Sequence, residues 1–112
     1  MVEQISDPIK YHLCRISDTF DVDVKSKLTE VVEILVSATI ARNMIWVIGN
    51  GGSATTASHF VTDLMRKTKQ SINRVRAISL TESNSRITAL ANDFDFGEVF
   101  ERQIWNLEIG RA

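Results

Sequence analysis

A histidine and an aspartate stand one helical turn apart in the stretch WVIGNGGSATTASHFVTDL, which runs from Trp46 to Leu64. His59 and Asp63 occupy positions i and i+4, so on a helix their side chains share one face and can both reach one metal ion. Imidazole and carboxylate groups suit zinc, although this pair would supply only half of a tetrahedral ligand set. Without further information, such a pair on a helix is more often a surface hydrogen bond than a metal site.

A turn of small residues, GNGGSA, precedes this pair and runs from Gly49 to Ala54. Glycines permit close approach of the backbone to a ligand, and the start of the following helix adds partial positive charge, so the turn predicts an anion site. A nucleotide P-loop is excluded because no lysine follows the glycines. A dinucleotide fingerprint is matched formally by Gly49, Gly51 and Ala54. Its acidic partner should follow about 20 residues later, and Glu82 comes too late in the sequence.

Composition limits the classes of protein that this chain can represent. Its 112 residues suffice for one small domain, and its formal net charge of −1 carries no basic excess of the kind that binds nucleic acid. A single cysteine, Cys14, excludes an internal disulfide and fits a reducing compartment. We expect Cys14 to be a buried or half-buried apolar residue. The N-terminal residues do not resemble a signal peptide, and no apolar run is long enough to span a membrane. We therefore expect a soluble, cytoplasmic protein.

Residues 1–43 carry the periodicity of two amphipathic helices. The first has one apolar stripe, with Pro8 expected in its first turn and Asp7 as its cap; the stripe consists of Ile5, Ile9, Leu13, Ile16 and Phe20. The second is expected to begin at a cap formed by Asp21 or Asp23 and to end at Arg42 and Asn43. Two consecutive amphipathic helices predict a helical hairpin whose apolar faces need a partner.

Residues 44–112 change from helical periodicity to alternating strands and helices. The apolar run MIWVI predicts a strand that is buried on both faces, and RVRAISL predicts a second strand. The predicted order is a strand at Met44–Ile48, a helix at Ala54–Arg66, a strand at Arg74–Leu80, a helix at Ser83–Ala91 capped by Thr81 or Ser83, a loop at NDFDFG and a helix at Glu98–Leu107. Strand–helix–strand–helix order implies a parallel sheet with right-handed crossovers.

The fold class predicted from these elements is α/β: a helical hairpin over residues 1–43 and a βαβα core over residues 44–112. Two strands make a poor parallel sheet, because both faces need cover and both edges lie open. The chain stops at LEIGRA, where a third strand is expected. We therefore expect either a fragment of a longer fold or a chain that completes its sheet with a partner.

The stretch GNGGSATTASHFVTDL closely resembles the opening motif of sugar isomerase (SIS) domains, and most closely that of the phosphoheptose isomerases. The strand AISL and the stretch ITALANDFDFGEVFERQI follow that family in order and spacing. The resemblance implies a flavodoxin-like SIS domain, truncated here. It also implies interconversion of sedoheptulose 7-phosphate and D-glycero-D-manno-heptose 7-phosphate in heptose biosynthesis, and helices that build a homo-tetramer with active sites between subunits.

The same resemblance assigns a substrate site. It implies that the loop binds a sugar phosphate, that the following helix opens beneath it, and that a later Asn-Asp pair contacts the sugar hydroxyls; the matching residues are Asn50, Gly51, Gly52, Ser53, Asn92 and Asp93. "SLTESNS", Ser79 to Ser85, is expected mainly to cap a helix and only secondarily to contact substrate. Arg66 and Lys67 are possible phosphate partners, although cations at helix ends are usually solvated.

The resemblance further implies a zinc ligand at His59, and at Asp63 a residue that is both ligand and catalytic base. The family has a glutamate where this chain has Asp63, and the missing methylene displaces the carboxylate by about 1 Å, which can cost on the order of 100-fold in rate. The family's second half, with its phosphate loop and remaining zinc ligands, is absent. A non-catalytic SIS-fold protein that senses a phosphosugar or regulates a replication initiator is therefore the alternative, and we expect this chain alone to be nearly inactive.

Overall fold

The computed structural model describes residues 2–20, 22–67 and 74–107. Their elements, in chain order, are α1 (Val2–Thr19), α2 (Val22–Ile40), β1 (Met44–Val47), α3 (Gly52–Lys67), β2 (Arg76–Ser79), α4 (Asn84–Asp93), a 3-10 turn (Phe96–Glu98) and α5 (Val99–Leu107). The chain divides into two units, residues 1–37 and residues 38–112. Among the described residues, no helix is both long enough and apolar enough to cross a membrane.

The first unit contains α1 and most of α2, which confirms the two predicted helices. The expected start of α1 was wrong, because the helix begins at Val2 and Asp7 is not its cap. Pro8 lies inside the helix; its fixed φ is helical, so it costs one internal hydrogen bond without ending the helix. The side chain of Ile5 and all of Asp21 lie outside the described residues.

The apolar stripes of this unit are open to solvent. Ile9, Leu13 and Ile16 on α1, and Phe20 just after it, are each more than half exposed. On α2, large aliphatic side chains are similarly exposed, and these include Leu28, Val31, Val32, Ile34 and Val36. Cys14 is exposed as well, contrary to the expectation of burial, because nothing in the described chain covers this part of α1.

The sheet of the second unit confirms the predicted parallel pair. β1 and β2 run parallel, with Met44 opposite Arg76 and Val47 opposite Ser79. The N–H of Leu80 donates to the carbonyl of Val47 at 3.0 Å, which extends the pairing past the end of β2. All four residues of β1 are only half-buried, so the prediction of a strand buried on both faces was wrong for this chain. The reason is that, among the described residues, β1 pairs with one strand only, so its other edge is open.

A small core lies beside the sheet. Its apolar members are Ala57 and Val61 of α3, Leu80 just after β2, and Val99 at the start of α5. Gln103 is 2% exposed and is the polar centre of this core. Its Nε2 donates to the carbonyls of Leu80 at 3.1 Å and Val99 at 2.9 Å, so α5 is tied to the end of β2. The core thus fixes the chain segments that follow the strand.

The helix ends of this unit show which boundaries the sequence predicted correctly. Ser83 caps α4 by accepting a hydrogen bond from the N–H of Arg86 at 3.3 Å, as one of the two proposed caps. Asn92 and Asp93 lie in the last turn of α4 and not in the predicted loop. The helix continues through them because the N–H of Phe94 still donates to the carbonyl of Leu90.

Candidate functional site

An open cavity of about 670 Å³ lies where both strands of the sheet end. The loop after β1 and the loop after β2 supply one group of lining residues, and α3, α4 and the 3-10 turn supply the rest. The lining consists of Gly49, Asn50, Gly51, Ala54, Thr55, Ser58, Thr81, Glu82, Asn84, Ile87 and Phe96. Parallel α/β folds bind their ligands in the crevice outside the carboxyl ends of the strands, which is the position of this cavity.

Two glycines of the first loop are required by its geometry. A Cβ on Gly49 would lie 2.3 Å from the carbonyl oxygen of Ser53, so only glycine lets β1 pass this close to the first turn of α3. Gly51 has a φ of +55°, a conformation that glycine adopts without strain. A Cβ on Gly52 would meet nothing within 4 Å. The loop therefore needs Gly49 for packing and Gly51 for its backbone conformation.

The backbone of the loop leaves donors for an anion. The N–H of Ser53 donates to the carbonyl of Asn50 at 3.0 Å, and the N–H of Ala54 donates to the carbonyl of Gly51 at 3.1 Å. Within the part of the chain that the structure describes, the N–H groups of Asn50 and Gly51 make no hydrogen bond. Both residues line the cavity beside the start of α3, where the helix dipole favours negative charge.

A cluster of three hydroxyl groups lies behind this loop. Thr81 Oγ1 donates to the carbonyl of Ala54 at 3.2 Å and lies 2.7 Å from Ser79 Oγ. Ser58 Oγ lies 3.4 Å from each of these two oxygens. Ser79 is 6% exposed and Thr81 is 7% exposed, so the cluster is largely shielded from water. It links the end of β2 to the first turns of α3.

The predicted histidine–aspartate pair forms on the outer surface of α3. His59 Nε2 lies 3.3 Å from Asp63 Oδ2, and Arg66 reaches Asp63 Oδ1 at 3.6 Å. The His59 side chain is 78% exposed, so this is a solvated surface contact. Among the described residues, no group of three or more His, Cys, Asp or Glu side chains is placed to hold a metal ion. The donor set present does not complete a zinc site.

The structure brings together only some of the predicted site residues. Asn50 and Gly51 line the cavity, whereas Gly52 and Ser53 form the first residues of α3 outside the lining. The cavity lining also does not include His59, Asp63, Asn92 or Asp93. Asn92 Nδ2 donates to Asp93 Oδ1 at 3.2 Å, and both residues are exposed. The side chain of Lys67 lies outside the described residues.

Several lining residues were not identified from the sequence. Thr55 and Ser58 lie in the first two turns of α3, at positions i+4 and i+7 from Gly51, so helical spacing was a usable signal for them. Thr81 and Glu82 were weighed mainly as part of a capping segment, although they directly follow a parallel strand. That position was the signal for a ligand site. Ile87 and Phe96 gave no signal, because their place in the lining depends on tertiary packing.

The fold and the cavity together define a parallel α/β unit with a ligand crevice at a glycine-containing loop. Comparison with known proteins makes this more specific. The chain is 36% identical to the phosphoheptose isomerase of Geotalea daltonii over 104 residues, which is 93% of this chain. It is 33% identical to the phosphoheptose isomerase of a Geobacter species over the same share. The resemblance to phosphoheptose isomerases inferred from the sequence is therefore confirmed.

The similarity covers only part of each relative's length. The chain spans about half the length of the curated relatives it matches, 54% in the two named above. The solved structure of a phosphoheptose isomerase from Neisseria gonorrhoeae aligns with 84% of this chain and 53% of its own, at 28% identity and a TM-score of 0.49. No protein-family model matches the chain.

Proposed function

We propose that the cavity between the two loops binds a sugar phosphate, with the phosphate at the N–H groups of Asn50 and Gly51. The observation that carries this proposal is the pair of unused backbone donors in a crevice at the start of α3. Charge-assisted hydrogen bonds from such donors are stronger than neutral ones. The polar wall formed by Thr55, Glu82 and Asn84 suits the hydroxyl groups of a sugar.

We further propose that the complete protein is a phosphosugar isomerase that converts sedoheptulose 7-phosphate into D-glycero-D-manno-heptose 7-phosphate. The similarity to phosphoheptose isomerases over 93% of this chain supports this reaction. Aldose–ketose conversion moves a proton between adjacent carbons, so it needs a base close to the reacting C–H. Asp63 is the candidate base, and Asn92 and Asp93 are the candidate partners of the hydroxyl groups. Because none of these three lines the cavity, catalysis requires surfaces beyond the described residues, and the isolated chain should be inactive.

Zinc at His59 and Asp63 is part of the same proposal. If zinc is bound there, it supplies positive charge for the oxyanion that develops during the proton transfer. The 112-residue chain should bind zinc far more weakly than structural sites, whose binding free energies reach about 10–16 kcal/mol. In a calorimetric titration with zinc, His59→Ala should remove this weak binding and His12→Ala should leave it. Tight zinc binding that survives His59→Ala would contradict the assignment.

We also propose that the first unit mediates self-association into a homo-oligomer, with a tetramer as the expected form. The exposed apolar stripe of α1 supports this, because contiguous apolar surface of this kind usually marks an interface. A second copy of the chain is the partner proposed, and neither nucleic acid nor a membrane is.

A charge placed in the cavity tests the binding site directly. Thr55 lines the cavity and Thr56, the next residue of α3, does not. Thr55→Asp and Thr56→Asp add the same charge near the same helix start, where a carboxylate favours folding. In titration calorimetry with sedoheptulose 7-phosphate, Thr55→Asp should lose at least about tenfold in affinity, which corresponds to about 1.4 kcal/mol. Thr56→Asp should remain close to the unmodified chain.

Two results would argue against the proposal. An unmodified chain that binds no sugar phosphate would remove the binding function altogether. Equal loss in both variants would indicate general charge repulsion instead of a site at Thr55.

Binding without turnover in the complete protein would favour the alternative, a phosphosugar-sensing regulator.

A further inference from the structure

The bond from Thr81 to the Ala54 carbonyl sets the direction of the hydrogen bond between the hydroxyl groups of Ser79 and Thr81. A hydroxyl group has one proton to donate. Thr81 donates it to the carbonyl of Ala54, so it must accept in its 2.7 Å contact with Ser79. Ser79 is therefore the donor in that contact, and Ser58 is left as the donor at 3.4 Å to one of the two. The hydrogen bonds therefore lead from Ser79 through Thr81 to the carbonyl of Ala54.

Ala54 is joined to the loop by its own N–H. That N–H donates to the carbonyl of Gly51 at 3.1 Å, and the next bond toward the loop runs from the Ser53 N–H to the Asn50 carbonyl. The carbonyl of Ala54 thus accepts a hydrogen bond from Thr81, which follows β2. The N–H of Ala54 meanwhile bonds to the turn that contains Gly51. A displacement of Ala54 would be transmitted to Asn50 and Gly51, which line the cavity.

The end of β2 is itself held firmly. Leu80, the residue before Thr81, is 1% exposed, and its carbonyl accepts a hydrogen bond from Gln103. Its N–H donates to the carbonyl of Val47 at 3.0 Å. Thr81 therefore projects its hydroxyl from a segment that is fixed on two sides. A hydroxyl on a fixed segment can hold the less constrained loop in one position.

We infer that Thr81 is a positioning residue for the sugar-phosphate site, which acts by holding Ala54 and, through it, the N–H groups of the Asn50–Gly51 turn. This inference rests on the proposed sugar-phosphate binding. Ser79 supports Thr81 by donating a hydrogen bond to Thr81 Oγ1, which leaves the Thr81 proton for the Ala54 carbonyl. The hydroxyl, and not the methyl group, is the essential part of Thr81.

Three variants of the chain separate this role from simple packing. Thr81→Val keeps the shape of the side chain and removes the hydroxyl, while Thr81→Ser keeps the hydroxyl and removes the methyl group. Thr88→Val makes the same chemical change at an exposed threonine of α4 that donates to the Asn84 carbonyl. Each protein is titrated with sedoheptulose 7-phosphate, and the backbone amide signals of Asn50 and Gly51 are recorded by NMR spectroscopy.

The expected result is a loss in Thr81→Val alone. Its affinity should fall about tenfold, with the amide signals of Asn50 and Gly51 shifted even without ligand. Thr81→Ser and Thr88→Val should stay within about twofold of the unmodified chain. If Thr81→Val does not fold, Ser79→Ala provides the same test, and a loss of about threefold with the same two signals shifted is expected.

Other patterns overturn the inference. A Thr81→Val protein with unchanged affinity and unchanged Asn50 and Gly51 signals would show that the hydroxyl only contributes to stability. Equal losses in Thr81→Ser and Thr81→Val would assign the effect to the methyl group. An unmodified chain that binds no sugar phosphate would reject the proposed function first, and that outcome is visible before any variant is compared.

Discussion

At the scale of single residues, Gly49 and Gly52 look alike in the sequence but differ in their surroundings. A Cβ on Gly49 would lie 2.3 Å from backbone, whereas a Cβ on Gly52 would meet nothing within 4 Å. Gly49→Ala should therefore lower the free energy of unfolding by about 1–3 kcal/mol, because the backbone must move to admit the methyl group. Gly52→Ala should change it by less than about 0.5 kcal/mol.

Urea denaturation of both variants measures this difference. Equal stability of Gly49→Ala and Gly52→Ala would mean that the close approach of Gly49 to Ser53 is not present in solution. The affinity for a sugar phosphate should also fall more in Gly49→Ala than in Gly52→Ala, since Gly49 lines the cavity and Gly52 does not.

Two contacts between single residues show which parts of a site can be predicted from the sequence. The contact between His59 and Asp63 was predictable, because the helix alone brings positions i and i+4 together. The contact between Thr81 and Ala54 was not, because it joins segments that are 27 positions apart and depends on how β2 ends against α3. Resemblance to a family offered the loop residues as candidates, but it could not say which of them line the cavity.

At the scale of elements, the end of α2 contains a feature that the sequence did not suggest. Arg42 has a φ of 58°, and its N–H donates to the Thr39 carbonyl while the Asn43 N–H donates to the Ala38 carbonyl. This is the Schellman pattern, in which the left-handed position is usually glycine. Arg42→Gly should therefore raise the free energy of unfolding by up to about 1 kcal/mol.

Arg42→Ala is the matched control, because alanine also carries a Cβ and loses the same arginine side chain. Thermal unfolding should place Arg42→Gly above Arg42→Ala by that margin. The reverse order would mean that residue 42 does not adopt the left-handed conformation in solution.

Among the described residues, the types of the α-helices and strands were predictable and their boundaries were less so, while the 3-10 turn at Phe96–Glu98 lies largely in the predicted loop. The apolar run at β1 and the helical spacing of α3 gave the parallel order directly, because period-2 and period-3.6 patterns differ. The start of α1 and the inclusion of Asn92 and Asp93 in α4 were missed. A proline in α1 and polar residues in α4 suggested helix boundaries, but each helix continues through those residues.

At the scale of the whole molecule, the first unit exposes a stripe of large apolar side chains, and such surface usually marks an interface. Leu13 on α1 is 61% exposed and Ile16 is 57% exposed. A doubly charged variant, Leu13→Glu with Ile16→Glu, should therefore shift the protein from an oligomer to a smaller species in sedimentation velocity at micromolar concentration. Cys14→Glu, outside the stripe, should leave the oligomer intact. A monomeric unmodified chain would contradict the self-association proposal.

A phosphorylated sugar is expected to bind at the carboxyl ends of β1 and β2. Crystals of the chain soaked with sedoheptulose 7-phosphate test it most directly. Phosphate density is expected about 2.7–3.2 Å from the N–H nitrogens of Asn50 and Gly51, with the sugar extending toward Thr55 and Glu82. Density only elsewhere, with the loop from Gly49 to Ser53 empty, would contradict it.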